Sequence, residues 1–130
     1  MTQRMNLEKV LFGFFITLAA AMNFGFFVGP IDDPSVHNGL ELGAALVVSI
    51  IATILKFGDR TQLGAVHLAT SLVADLHLIC AAALWVWVAQ ANVGMTAESM
   101  STIVSLSAGA LLANVVSVVL MVSETIQVRR

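Results

Sequence analysis

Asp75 is the residue of this chain that demands most of its surroundings. It lies inside an apolar run, residues 63–91, that contains no lysine or arginine to pair with it. At the centre of a bilayer a carboxylate costs on the order of 2.5–3.5 kcal/mol on insertion scales. Three arrangements relieve that cost. The acid can hold a proton, it can accept hydrogen bonds or pair with a histidine, or it can face water and a bound or passing cation. Its own run supplies candidates, because His67, Ser71 and Asp75 are spaced by four and four. On a helix that spacing drifts only about 40° per step, so the three form one polar stripe. His77 sits about 200° round the helix from Asp75 and faces nearly the opposite way. It needs another helix or another subunit to complete a site. Asn23 and Asn114 are the remaining mid-run hydrogen-bonding side chains. The chemistry these residues predict is proton or cation handling, with Asp75 meeting the ion and His67 or His77 relaying or gating. A structural reading stands beside it, in which Asp75 bonds Ser71, Asn114 or Asn23 and holds helices in register.

The elements that must position these groups are four apolar stretches, at residues 10–29, 39–55, 63–91 and 102–122. Crossing a hydrocarbon core of about 30 Å takes about 20 helical residues. The first and fourth match that length, the second is short and borrows Phe57, and the third is long enough to tilt or project. The six basic residues then order the chain. Arg4 and Lys9 precede the first stretch, Lys56 and Arg60 separate the second from the third, and Arg129 and Arg130 follow the fourth. The connections at 30–38 and 92–101 contain none. Cytoplasmic loops retain Lys and Arg, so both termini and the 56–60 turn are expected in the cytoplasm. The fold class is therefore an all-α integral membrane four-helix bundle, a single domain over residues 1–130. Arg4 and Lys9 ahead of Ala19, Ala20 and Ala21 resemble a signal peptide, but Phe24, Phe26 and Phe27 extend the run to spanning length. It reads as a retained first helix. Trp85 and Trp87 are expected as interfacial anchors, and Cys80, the single cysteine, as a small buried hydrophobe.

Helix punctuation supports these boundaries. Gly29 and Pro30 end the first helix, while Asn38 with Glu41 three residues on resembles a capping box for the second. Gly58 is expected to supply a left-handed C-terminal turn, with Asp59 or Thr61 capping the third helix. Thr96 starts the fourth, with Glu98 in its first turn. Small residues recur every fourth position at Gly13, Thr17, Ala21, Gly25 and Gly29, and again at Ser101, Ser105, Gly109, Ala113 and Ser117. Gly39 with Gly43, and Ala45, Ser49 and Thr53, form shorter stripes in the second helix. A further stripe at heptad spacing runs through Ser107, Ala110, Asn114, Ser117, Met121 and Glu124. Membrane helices associate through such close-packing surfaces. One stripe on the fourth helix is expected to face the chain's own bundle and the other a neighbouring copy, making a homo-oligomer.

Composition excludes several classes. The chain is 58% hydrophobic and 11% charged with net charge −2, far below the charge content of soluble domains. No basic patch interleaved with aromatics points to nucleic acid. One cysteine and no pair of histidines four apart leave no metal or cofactor site to expect. No phosphate loop, nucleophile elbow or paired carboxylates in a polar cleft indicates an enzyme. There is no potassium-filter motif, no arginine at every third position of a helix, and no acidic residue embedded in the first span of the kind small multidrug exporters carry. Asp32 and Asp33, with His37, make an acidic outer loop that would gather cations at a pore mouth if several copies assembled.

The stretches Asn23-Phe24-Gly25-Phe26-Phe27, Leu55-Lys56-Phe57-Gly58-Asp59-Arg60 and Ser71-Leu72-Val73-Ala74-Asp75-Leu76 resemble a family of small, uncharacterised bacterial inner-membrane proteins. That resemblance implies a multi-pass place in the bacterial inner membrane and assigns no activity. The function expected is a homo-oligomeric channel or transporter subunit for protons or small cations, not an enzyme. The alternative is a non-transporting accessory or scaffold subunit that docks onto a larger membrane complex.

Overall fold

A computed structural model describes residues 7–59, 61–91 and 94–129. Four α-helices follow in order, α1 (Leu7–Phe27), α2 (Gly39–Lys56), α3 (Gln62–Gln90) and α4 (Ala97–Arg129), with a short 3-10 turn at Pro34–Val36 in the first connection. Each helix is long and apolar enough to cross a membrane. Arg4, Arg60 and Arg130, three of the six cations behind the expected orientation, and Asn92 of the 92–101 connection lie outside the described residues.

Neighbours in sequence pack as antiparallel neighbours in space, and α4 closes the square against α1. One end of the bundle is marked by the ion pair of Lys9 with Glu124 at 2.9 Å. The other is marked by Trp85, whose ring lies 5.9 Å from that of Phe26 and over the backbone of Gly39. The start of α1, the α2–α3 turn and the end of α4 therefore share the Glu124 end. The outward surface is apolar on all four helices, with Phe14, Phe24, Leu76, Leu112 and Val119 each more than half exposed. A soluble helix hides one apolar stripe and shows a polar face to water. These helices do the reverse, and four such faces suggest a multi-pass membrane protein.

Local chemistry sets the helix ends. Thr96 Oγ1 accepts from Ser99 N at 3.1 Å, and Thr61 Oγ1 from Gly64 N at 2.9 Å, so α4 and α3 have the hydroxyl caps expected of them. Asp59 braces the second cap, its Oδ1 accepting from Thr61 N at 3.0 Å and Thr61 Oγ1 at 2.7 Å. Lys56 Nζ meets its other oxygen at 3.3 Å. Gly29, at φ +106°, ends α1 as expected.

Several expectations are corrected. Gly58 does not take a positive φ; α2 instead ends with Phe57 in right-handed geometry, its N–H donating to Ile54 O. Asn38 caps α2 through Leu40 N at 2.9 Å, but the Glu41 carboxylate turns onto Gly25 of α1. Only half of the capping box forms, because helix-to-helix packing outcompetes a local bond. Cys80 is exposed, since it falls on the face of α3 away from the square. Trp85 packs inward on the core while Trp87, two residues on, is 75% exposed; helical geometry sends the two rings apart. The helix α4 extends beyond 102–122 at both ends, reaching roughly 50 Å at 1.5 Å per residue.

The connection after α1 is held by His37, which is buried. Its Nδ1 lies 2.6 Å from Phe26 O and its Nε2 2.7 Å from Pro30 O. Phe26 O is one of the carbonyls a helix C-terminus leaves without an internal donor. A carbonyl oxygen has no proton to give, so in each contact the ring nitrogen is the donor when it carries the hydrogen.

Two outcomes follow. Replacing His37 with Phe keeps a ring but removes its hydrogen bonding to these carbonyls, worth about 1–2 kcal/mol; amide exchange across residues 28–38 should quicken roughly 5–30-fold while α3 stays protected, and unchanged exchange there would contradict the clasp. The hydrogen bonds from the Thr61 hydroxyl and backbone hold the Asp59 carboxyl at about 2, below its ordinary 3.8. A lowered folded value means its contribution to the turn is complete above 3.8 and fades as pH falls through about 2. The Thr61 amide resonance should titrate in that interval, and Asp59→Asn should abolish the titration.

Candidate functional site

The buried face of α3 runs Gly64, His67, Ser71, Ala74, Asp75, Leu78 and Ala81. The expected polar stripe therefore exists and points into the bundle's own interior. Asp75 is 8% exposed. Ser49 Oγ donates to its Oδ1 at 2.6 Å, and Thr53 Oγ1 lies 2.5 Å from its Oδ2. Both partners come from α2, where they stand one turn apart on the buried face. Neither was among the candidates read from sequence. They were visible there only as members of a small-residue stripe; what pairs them with Asp75 is the α2–α3 register, which a single sequence does not state.

Ser71 lies one turn from Asp75 toward the Glu124 end, about 6 Å along the axis, and His67 one turn further. The register of α3 with α4 follows from the Thr70 Oγ1 contact with Ser117 Oγ at 2.5 Å and from His77 lying over Gly109. It sets Asn114 opposite residues 72–73 and Ser107 opposite residues 79–80. The contact of Glu41 with Gly25 likewise sets Asn23 opposite residue 43 of α2, outward of Ser49 toward the Trp85 end. The predicted Asn23 and Asn114 thus face the interior, Asn114 at the level of the α3 stripe and Asn23 nearer the Trp85 end. The heptad stripe of α4 from Ser107 to Ser117 is fully buried, whereas Ser105 of the other stripe and Thr17 and Ala21 on α1 look outward.

The interior is polar in an unusual way. Among the described residues, both amide atoms of Asn23 and of Asn114, the hydroxyls of Ser71 and Ser107, and Nδ1 of His67 are buried without a hydrogen-bond partner. Each such group costs roughly 1–3 kcal/mol if nothing satisfies it. Water or an ion on the axis of the square is the ordinary remedy in a polar interior. His67 reaches the charged Glu124 end by its ring, which packs edge-on against Phe12 at 5.0 Å. The Lys56 ammonium lies 4.3 Å from the centre of that same Phe12 ring.

The other predicted residues fall elsewhere. His77 sits in a groove between α3 and α4 open to the outside, its Nδ1 donating to Val73 O at 2.9 Å; it shares no site with Asp75 within the chain. Asp33 turns its carboxylate onto Ser35 N and Oγ at 3.0 and 2.7 Å. Those bonds hold Asp33 below its ordinary value and cap the 3-10 turn, so its role is local. Asp32 is exposed. Among the described residues no group of three His, Cys, Asp or Glu could hold a metal ion.

Fold and interior together define a class: a four-helix bundle with spanning-length helices, an apolar exterior and a polar axis containing one carboxyl. Residues 36–125 match the model described as a Family of unknown function (DUF6394), and the chain belongs to that family. The matched segment carries Ser49, Thr53, His67, Ser71, Asp75 and Asn114; Asn23 precedes it. No curated protein and no solved structure matches the chain.

The Asp75 contacts predict a graded response. Asp75→Ala strands the Ser49 hydroxyl and leaves Thr53 only its bond to Ser49 O, and should destabilise the detergent-solubilised protein by about 1–3 kcal/mol. Asp75→Asn keeps the shape and a carbonyl acceptor and should cost clearly less. Thermal unfolding of both variants reads the difference; equal losses would mean the two hydroxyls do not depend on Asp75.

Proposed function

We infer that this chain is a multi-pass protein of the bacterial inner membrane, with both termini and the 56–60 turn in the cytoplasm, that conducts or transports protons or small cations. Asp75 is the group that meets the ion. Lys9 and Lys56 lie at the Glu124 end, and the absence of Lys and Arg from the 30–38 and 92–101 connections supports the orientation. The observation that carries the function is the file of buried, unpartnered polar atoms on either side of Asp75. Those atoms call for mobile hydrogen-bonding species inside the bundle, and His67 supplies an end to the file beside Lys56 and Phe12. The sequence pointed to a pore shared between copies. The burial of Asp75 favours a route within each bundle, with Thr17, Ala21 and Ser105 left on the outside as surfaces for copies to pack.

A non-transporting accessory subunit is the second reading. What favours it is that the Ser49 and Thr53 hydroxyls meet both carboxyl oxygens. Purified protein in phospholipid vesicles separates the two. Imposed proton, sodium or potassium gradients should relax through wild-type protein, and Asp75→Asn should lower that flux at least about tenfold, the equivalent of roughly 1.4 kcal/mol. Vesicles as tight as protein-free controls to all three ions would refute transport and leave the accessory role.

A further inference from the structure

Three oxygen–oxygen contacts meet at Asp75, and they have a limited number of protons to share. Ser49 Oγ faces Asp75 Oδ1, Thr53 Oγ1 faces Asp75 Oδ2, and Thr53 Oγ1 also lies 3.0 Å from the Ser49 carbonyl oxygen. A threonine hydroxyl has one proton to donate. If Asp75 is a carboxylate, that proton goes to Oδ2, and the Thr53 contact with Ser49 O has none. If Asp75 is a carboxylic acid, its Oδ2–H donates to Thr53 Oγ1, Thr53 donates to Ser49 O, and Ser49 Oγ donates to Oδ1. Every contact then has one proton. Charge argues in the same direction. The described ion pairs are Lys9 with Glu124 and Lys56 with Asp59, and neither involves Asp75. A buried carboxylate with no cation is far more costly than a neutral acid with its hydrogen bonds made.

We propose that Asp75 holds an exchangeable proton rather than a metal cation, donated to Thr53, and that the Thr53 hydroxyl is the positioning group that selects it. Hard metal cations gather six or more oxygen ligands, whereas here both hydroxyls are committed to the carboxyl and a backbone oxygen. On release the Oδ2–H bond breaks, its electron pair stays on the carboxylate, and the proton leaves on a water molecule. The Thr53 hydroxyl then swings from Ser49 O to Oδ2, so the carboxylate keeps two donors while the Thr53 bond to Ser49 O is given up. Ser71, one turn away with a buried and unpartnered hydroxyl, is the nearest group on the α3 face toward His67 able to hold such a water. The proposal rests on reading Asp75 as the group that meets the ion.

Infrared spectroscopy of the full chain, carboxyl-labelled at aspartate and held in phosphatidylcholine vesicles at neutral pH, tests the site directly. A protonated carboxyl C=O band that Asp75→Asn removes is expected. Thr53→Val, which takes away the acceptor, should shift that band to higher frequency, and Thr53→Ser should restore it; a merely structural Thr53 would leave it in place. An Asp75 signal wholly in the carboxylate region, or a band that Thr53→Val leaves unmoved, overturns the proposal. Flux in the same vesicles separates it from the broader function. Proton movement without sodium or potassium movement upholds both. Sodium or potassium flux that Asp75→Asn abolishes, with no proton movement, upholds transport and overturns the proton. The protonated band with no flux of any kind upholds the proton site and overturns transport.

Discussion

An apolar exterior leaves the interior of this bundle to satisfy its own polar groups, and the rest of the structure depends on that constraint. The helices show mainly hydrocarbon side chains outward and bring the amides of Asn23 and Asn114, the hydroxyls of Ser49, Thr53, Ser71 and Ser107, and the carboxyl of Asp75 to the interior. In water such a sorting would be inverted; in lipid, polar groups are what helices have to gain by associating. Asp75 is the sharpest case, since the apolar stretches 10–29, 39–55, 63–91 and 102–122 contain no lysine or arginine. Its two α2 hydroxyls fix how far α3 can slide or turn against α2, because a shift of one residue rotates the carboxyl about 100° off that face.

Around this contact the apolar packing falls into two clusters. Phe12, Ile16 and Ala52 form one near the Glu124 end. Phe26, Leu42, Leu78, Met100, Ile103 and Val104 belong to the larger one, reaching toward Trp85. Apolar side chains fill space in lipid but gain little by leaving it, so these clusters shape the bundle while the polar contacts give it register. Caps and the His37 clasp then close the ends, where backbone groups would otherwise lack donors or acceptors.

Most of the architecture was legible in the amino-acid order. Run lengths gave four helices, Thr61 and Thr96 gave two caps, and the four-residue spacing of His67, Ser71 and Asp75 gave a polar stripe on α3, though not the side it faces. What was not legible depends on contacts between helices. Ser49 and Thr53 became the partners of Asp75, and Glu41 left its own cap for Gly25, only once two helices were laid side by side. Cys80 and Trp85 were misplaced for the related reason that a helix apolar on every side does not announce which side is buried. His37 looked like loop decoration because its partners are backbone carbonyls, which no side-chain pattern reveals. A pairing of hydroxyls one turn apart with an acid on the next antiparallel helix would have been the signal to seek.

The square closes between its first and last members, α1 against α4, and this has a consequence for how the chain is made. A nascent chain emerges from its N-terminus, so α1, α2 and α3 exist before α4 does. During that interval one side of the axis stands open. The group most costly to leave bare does not wait for α4. Both hydroxyls that receive Asp75 precede it on α2, so the α2–α3 hairpin shelters its own acid as soon as it exists, and the last helix arrives to close a wall, not to rescue a stranded charge.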